Sequence, residues 1–229
     1  MKPQQKPTIL TILGVTGDLA AKKILPALFN LYQKNSLPEK FKIVGFGRKD
    51  YSTENFRPYI LEKILLRLPD SDPDIINKFL ENFEYVRGNF NEAKSYRDLA
   101  VFMHRVEHEW NELANFIFYL SVPPNIYEPI ITNIRNSALY KQEPEYQTRI
   151  LVEKPIGHNS DSAELLETLL TTSFAETKIY RIDHYLAKEM VQNILTFRFS
   201  NDMFELNWNN ASIEKIEIRL WERSEEHTS

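Results

Sequence analysis

The stretch RIDHYLAKE, positions 181 to 189, sets an acid, an imidazole, a phenol and an ammonium close together as Asp183, His184, Tyr185 and Lys188. Lys188 follows His184 by one helical turn, so a helix opening here presents both on one face. Together with the first free amides of that helix they can converge on one anion, and a phosphate dianion suits the set. A second segment, EKPIG at 153 to 157, places Lys154 at the end of an apolar run, where it would point into a cleft.

A third segment, GVTGDLAAKK at 14 to 23, spaces Gly14 and Gly17 across a tight turn after the β-branched run TILTIL. The free amides of this turn, with the dipole of the helix that follows, suit a pyrophosphate, and Thr16 can add a hydroxyl hydrogen bond. Asp18 is expected to cap that helix, because a carboxylate aimed at a phosphate would repel it. The three-glycine fingerprint is absent, so the turn alone fits an ordinary strand-to-helix connection equally well. The second strand ends in GFGRKD, with Arg48 and Lys49 where NAD-preferring enzymes usually carry an acid for the ribose. A guanidinium can grip a 2′-phosphate with two hydrogen bonds, which favours NADP and leaves NAD as the weaker alternative. Asp50 stands too far along to replace the missing acid. The competing reading is a pair of solvated loop cations.

Elements in a fixed order must position these groups. Strands are expected at 8–13, 41–47, 83–88, 115–122, 149–155 and 178–183, each followed by a helical pattern. Pro26 lies too deep for a first turn and predicts a kink or a fresh helical start, and Ser52 or Thr53 is expected to cap the helix after the second strand. The continuous apolar run NFIFYLSV reads as a strand buried on both faces. Alternating strands and helices predict an α/β, Rossmann-like doubly wound parallel sheet whose ligands lie at the carboxyl ends of strands. In 213–222, Ile216, Ile218 and Leu220 alternate with polar or exposed positions, which predicts a strand and the start of an α+β substrate domain. The domains expected are therefore 8–181 for the nucleotide, 182–222 for an incomplete substrate domain, and a tail of doubtful origin over 223–229.

The 229 residues carry 28 basic and 32 acidic side chains, a formal charge of −4, and no cysteine. This balance gives no general attraction for nucleic acid or membrane, so any anion must be caught by local cations. Disulfides, thiolate metal sites and a cysteine nucleophile are excluded, which is compatible with the expected cytoplasmic setting. No long apolar run predicts a membrane span or a signal peptide. His104 and His108, four apart on a helix, lack a third ligand and are expected on a solvated face rather than at a metal.

Three of these segments, GVTGDLAAKK, VEKPIG and above all YRIDHYLAKEMVQN, resemble glucose-6-phosphate dehydrogenase, and NFIFYLSVPPNIYE is similar to that family's fourth strand and turn. The likeness runs from about residue 8 to 222. Ile156 stands where the family commonly has phenylalanine, and Ala187 where it has glycine. The resemblance implies oxidation of glucose 6-phosphate at C1 to 6-phosphogluconolactone, with hydride passing to NADP. By position, Gly14 to Ala21 and Arg48 would bind the cofactor with Tyr127 beside it. Lys154 would bridge nicotinamide and sugar, and His184, Tyr185 and Lys188 would hold the 6-phosphate. Asp183 would orient a separate histidine that takes the C1 hydroxyl proton, a residue the family carries further along the chain. His227 lacks the surroundings for that role, so the chain is expected to be a poorly active fragment of a homo-oligomeric enzyme. Two alternatives remain at this stage: another sugar oxidoreductase with an EKP strand end, and a noncatalytic nucleotide-binding protein.

Overall fold

The computed structural model describes residues 6–141, 146–154, 156–157, 159–183 and 189–217. By its internal contacts the chain divides into two compact units, Met1–Ile182 and Asp183–Ser229.

The first unit is built on six strands: β1 Thr8–Leu13, β2 Phe41–Gly47, β3 Phe83–Arg87, β4 Asn115–Leu120, β5 Thr148–Glu153 and β6 Ile179–Ile182. All pair in parallel, in the order β3-β2-β1-β4-β5-β6. The order reverses direction between β1 and β4, and such a switch point opens a crevice at the carboxyl ends of the strands. Six helices cover the two faces: α1 Leu25–Gln33, α2 Thr53–Leu65, α3 Pro73–Leu80, α4 Ala93–Trp110, α5 Tyr127–Arg135 and α6 Ser160–Ser173. Successive strand residues serve opposite faces, as the pleat requires. Ile12 and Ile43 pack with Phe29, Phe56 and Phe79 on one side. Leu13, Val44 and Phe46 pack with Tyr96, Leu99, Ile130 and Leu170 on the other. Each such side chain contributes about 1.5–3 kcal/mol when fully buried, so loss of either layer would open the sheet.

Local signals act where the sequence placed them. Ser52 accepts a hydrogen bond from the Asn55 amide at 3.2 Å and caps α2. Pro26 sits at the start of α1, after a π-helical segment Ala20–Ile24 that absorbs the change of register. Asp18 departs from expectation. The backbone is already helical at Asp18, and its carboxylate, 90 % exposed, pairs with Lys22 at 3.1 Å instead of capping. Capping belongs to the flanking residue, whose extended backbone lets its side chain accept from the amides two or three residues on; a residue already helical lacks that geometry.

His104 is exposed, as expected, and finds partners on that face. Its Nδ1 lies 2.8 Å from Glu107 Oε2 and its Nε2 lies 3.2 Å from the Ala138 carbonyl. Glu107 and Lys141, both nearly buried, form an ion pair. Glu107 Oε1 also accepts from the Ala114 amide at 2.6 Å, and Lys141 Nζ donates to the Ala114 carbonyl at 3.2 Å while lying 3.9 Å from the Phe116 ring centre. This knot locks the C-terminal end of α4 to the start of β4.

In the second unit the described residues form α7 Glu189–Phe199 and α8 Asp202–Asn207. Helix α8 was not expected. The predicted strand over 213–222 is corrected for its first half: residues 213–217 are not in a strand, and Ile216 is 69 % exposed. Alternation makes a strand only where a neighbour supplies the ladder, and none reaches these residues among those described. Residues 218–222 and the tail lie outside the described residues. Among the described residues no helix is long and apolar enough to cross a membrane.

Removing one partner of the Glu107–Lys141 pair strands a buried charge. Lys141→Met is expected to lower unfolding stability by roughly 3 kcal/mol in urea titration, and a change below about 0.5 kcal/mol, the ordinary size of a surface substitution, would contradict the buried pairing.

Candidate functional site

The carboxyl edge of the sheet collects the predicted groups of the first unit. β1 ends between its neighbours: the Gly14 amide donates to the Phe46 carbonyl at 3.0 Å, and the Ser121 amide donates to the Leu13 carbonyl at 3.0 Å. The turn then closes as the Gly17 amide donates to the Gly14 carbonyl at 2.9 Å. Gly14 has φ +82°, and a Cβ there would meet the Ser121 oxygen and Val122 Cγ1, each at 2.5 Å. Only glycine serves at that point, for both conformational and spatial reasons.

Val15 and Ala20 are fully buried, so their side chains anchor the turn to the core and leave only backbone for a ligand. The amides of Val15, Thr16, Asp18 and Leu19 donate to no backbone carbonyl among the described residues. That set of donors, above the start of a helix, is the arrangement that holds a pyrophosphate. Beside it Ser121 Oγ is buried and without a hydrogen-bond partner among the described residues. A buried hydroxyl left so is costly unless a ligand or water completes it. The cradle that a Cβ would fill and this hydroxyl together fit a dinucleotide lying across the switch point.

Arg48, Lys49 and Asp50 follow β2 and are exposed. Arg48 lines a cleft of about 380 Å³ with Arg87, Asn89, Glu92, Lys94 and Asp98. Asp50 lies 3.1 Å from the guanidinium of Arg87, the last residue of β3. The Tyr85 hydroxyl donates to the Lys49 carbonyl at 2.9 Å and braces the Arg48 loop, and burial, then the nearby Tyr51, pushes that phenol up to about 12.

At the other side of the switch point, Lys154 follows β5 and is exposed, its amide donating to the Ile182 carbonyl at 3.0 Å. The residue before it, Glu153, accepts a 2.6 Å hydrogen bond from Tyr119 of β4. Burial first, then this bond to Glu153, holds the Tyr119 phenol well above its usual range, so it remains the donor. Tyr127, expected beside the cofactor, is 1 % exposed, and its hydroxyl donates to the Leu120 carbonyl at 3.4 Å. Asp183 follows β6 and opens the second unit, where it is half-buried. His184, Tyr185 and Lys188 lie outside the described residues.

Three features of this edge were not foreseen: the Arg87–Asp50 pair, the Tyr119–Glu153 bond and the orphaned Ser121 hydroxyl. Each joins residues whose proximity arises only from strand pairing. A run of apolar residues followed by serine or by Val-Arg-Gly carries no mark of it.

Comparison with known proteins agrees with the architecture. The family model for the glucose-6-phosphate dehydrogenase NAD binding domain matches residues 11–193. A glucose-6-phosphate 1-dehydrogenase of Treponema pallidum is 39 % identical over 93 % of this chain and 41 % of its own length. One from Borreliella burgdorferi is 42 % identical, over 93 % and 42 %. Among solved structures, a glucose-6-phosphate dehydrogenase in complex with its substrate glucose-6-phosphate superposes with a TM-score of 0.82 at 33 % identity, covering 92 % of this chain and 43 % of that one. The enzyme from Mycobacterium avium gives 0.75 at 27 %, covering 90 % and 42 %. The chain thus spans about two fifths of the length of the relatives it matches. It belongs to the glucose-6-phosphate dehydrogenase family and carries that family's domain for a pyridine nucleotide.

Proposed function

We propose that this chain is the NADP-binding portion of an enzyme that oxidises glucose 6-phosphate at C1 to 6-phosphogluconolactone. The observation that carries the reading is the Gly14 turn, whose open amides stand at the switch point of the sheet with Arg48 at the end of the neighbouring strand. Bound NADP supplies the hydride acceptor. Within the turn from Gly14 to Ala21, the open amides of Val15, Thr16, Asp18 and Leu19 hold its pyrophosphate, and Arg48, carrying no acid of its own among the described residues, grips the 2′-phosphate. Tyr127 ties the start of α5 to the end of β4 through the Leu120 carbonyl.

Lys154 stands where nicotinamide and sugar meet and orients the C1 hydroxyl. His184, Tyr185 and Lys188 hold the 6-phosphate, a role that rests on the resemblance of RIDHYLAKE. Asp183 orients the histidine that accepts the hydroxyl proton. Such a base is required because hydride departure builds positive charge on the carbon that proton loss relieves. Residues 182–222 then contribute the first part of the substrate domain.

Calorimetric titration of the 229-residue chain with NADP and NAD tests the cofactor assignment. Arg48→Ala is expected to weaken NADP by roughly tenfold or more, the loss of a charge-assisted pair, with NAD changed by less than about twofold. Equal losses for both nucleotides would remove the 2′-phosphate assignment. Gly14→Ala should instead weaken both nucleotides together and cost about 1–3 kcal/mol of stability through the forced backbone; unchanged binding of both would contradict the pyrophosphate turn.

A further inference from the structure

Arg87 shares the cleft of Arg48 and has no part in the function described so far. Register brings the two together: Gly47 is the Cα partner of Arg87 across the β2–β3 ladder, and the Gly88 amide donates to the Gly47 carbonyl at 2.9 Å. The two guanidinium stems therefore leave adjacent strand ends and line one cavity. Its other charges are matched locally, Lys94 to Asp98 at 2.8 Å, and Glu92 accepting from the Asn89 side-chain amide at 3.0 Å. Arg87 is held by Asp50 at 3.1 Å, with side chains 61 % and 83 % exposed.

We propose that Arg87 is a second specificity-determining residue for the 2′-phosphate of the cofactor, and that Asp50 competes with that phosphate for it. The inference rests on the reading that Arg48 faces the 2′-phosphate. An ion pair so exposed contributes little, because water screens it and both side chains lose freedom to form it. A phosphate dianion offers a guanidinium more charge and a two-point geometry, so exchange of the Asp50 carboxylate for phosphate is favourable. With NAD no phosphate arrives and the Arg87–Asp50 pair stays closed. Discrimination is then graded by three side chains rather than one: two cations that attract the phosphate and one carboxylate that opposes it.

This predicts opposite effects from the two halves of one ion pair, which a merely structural pair would not show. Arg87→Ala removes an attraction and leaves Asp50 unneutralised beside the phosphate. Asp50→Asn removes a repulsion and releases Arg87. Titration of the 229-residue chain with NADP and NAD should give NADP binding about tenfold weaker for Arg87→Ala and about threefold tighter for Asp50→Asn, with NAD within about twofold in both, magnitudes set by gain or loss of a charged hydrogen bond. Arg87→Lys should fall between the parent and Arg87→Ala, since an ammonium keeps the charge and loses the fork. NAD affinity reports in each case that the variant is folded. Shifts of the same sign for Arg87→Ala and Asp50→Asn, or equal effects on the two nucleotides, would overturn the proposal. If Arg48→Ala loses NADP selectively and Arg87→Ala does not, the inference about Arg87 fails while the Arg48 reading stands. If neither is selective, the 2′-phosphate reading itself fails and takes Arg87 with it.

Discussion

The structure depends on the close approach of Gly14 to the Ser121 carbonyl. With φ +82° and no side chain, Gly14 lets β1 end flush between β2 and β4, its amide tied to Phe46 and the preceding carbonyl of Leu13 tied to Ser121. A bulkier residue would push the turn away from β4 and close the crevice at the point where strand order reverses. What could bind a nucleotide follows from that geometry: the open amides of the turn, the buried Ser121 hydroxyl just after β4, and the strand ends that carry Arg48 and Lys154.

The sheet that fixes this edge was largely readable in the chain because its central strands β1, β2 and β4 are mostly buried on both faces. A strand so placed has no polar side, and TILTIL, FKIVGFG and NFIFYL carry that property in consecutive residues. The helices were readable by period and the Ser52 cap by its chemistry. Where the reading failed, it had used a local signal for a property decided by a neighbour. Alternation over 213–217 looks like a strand, yet no strand forms without a partner to pair with. Asp18 looks like a cap, yet the helix has already begun at that residue.

The charged groups show the same limit. Glu107 reads as one acid among several on a solvated helix until Lys141, 34 positions later, is laid against it. Arg87 reads as a strand-end cation until the β2–β3 ladder brings it level with Gly47 and within reach of Asp50. Ionic partners are chosen by folding rather than by sequence separation, so sequence shows which charges exist and register shows which of them meet. The proposed nucleotide site consequently rests on distances, whereas the proposed sugar-phosphate site rests on the character of RIDHYLAKE.

Amide hydrogen exchange, compared with and without NADP, tests the central claim most directly. The account predicts slowed exchange concentrated at residues 14–21, with a smaller effect at 47–49, because the cofactor's pyrophosphate takes up the open donors of the turn. Saturating NADP with exchange at 14–21 unchanged, and protection appearing elsewhere in the molecule, would contradict it.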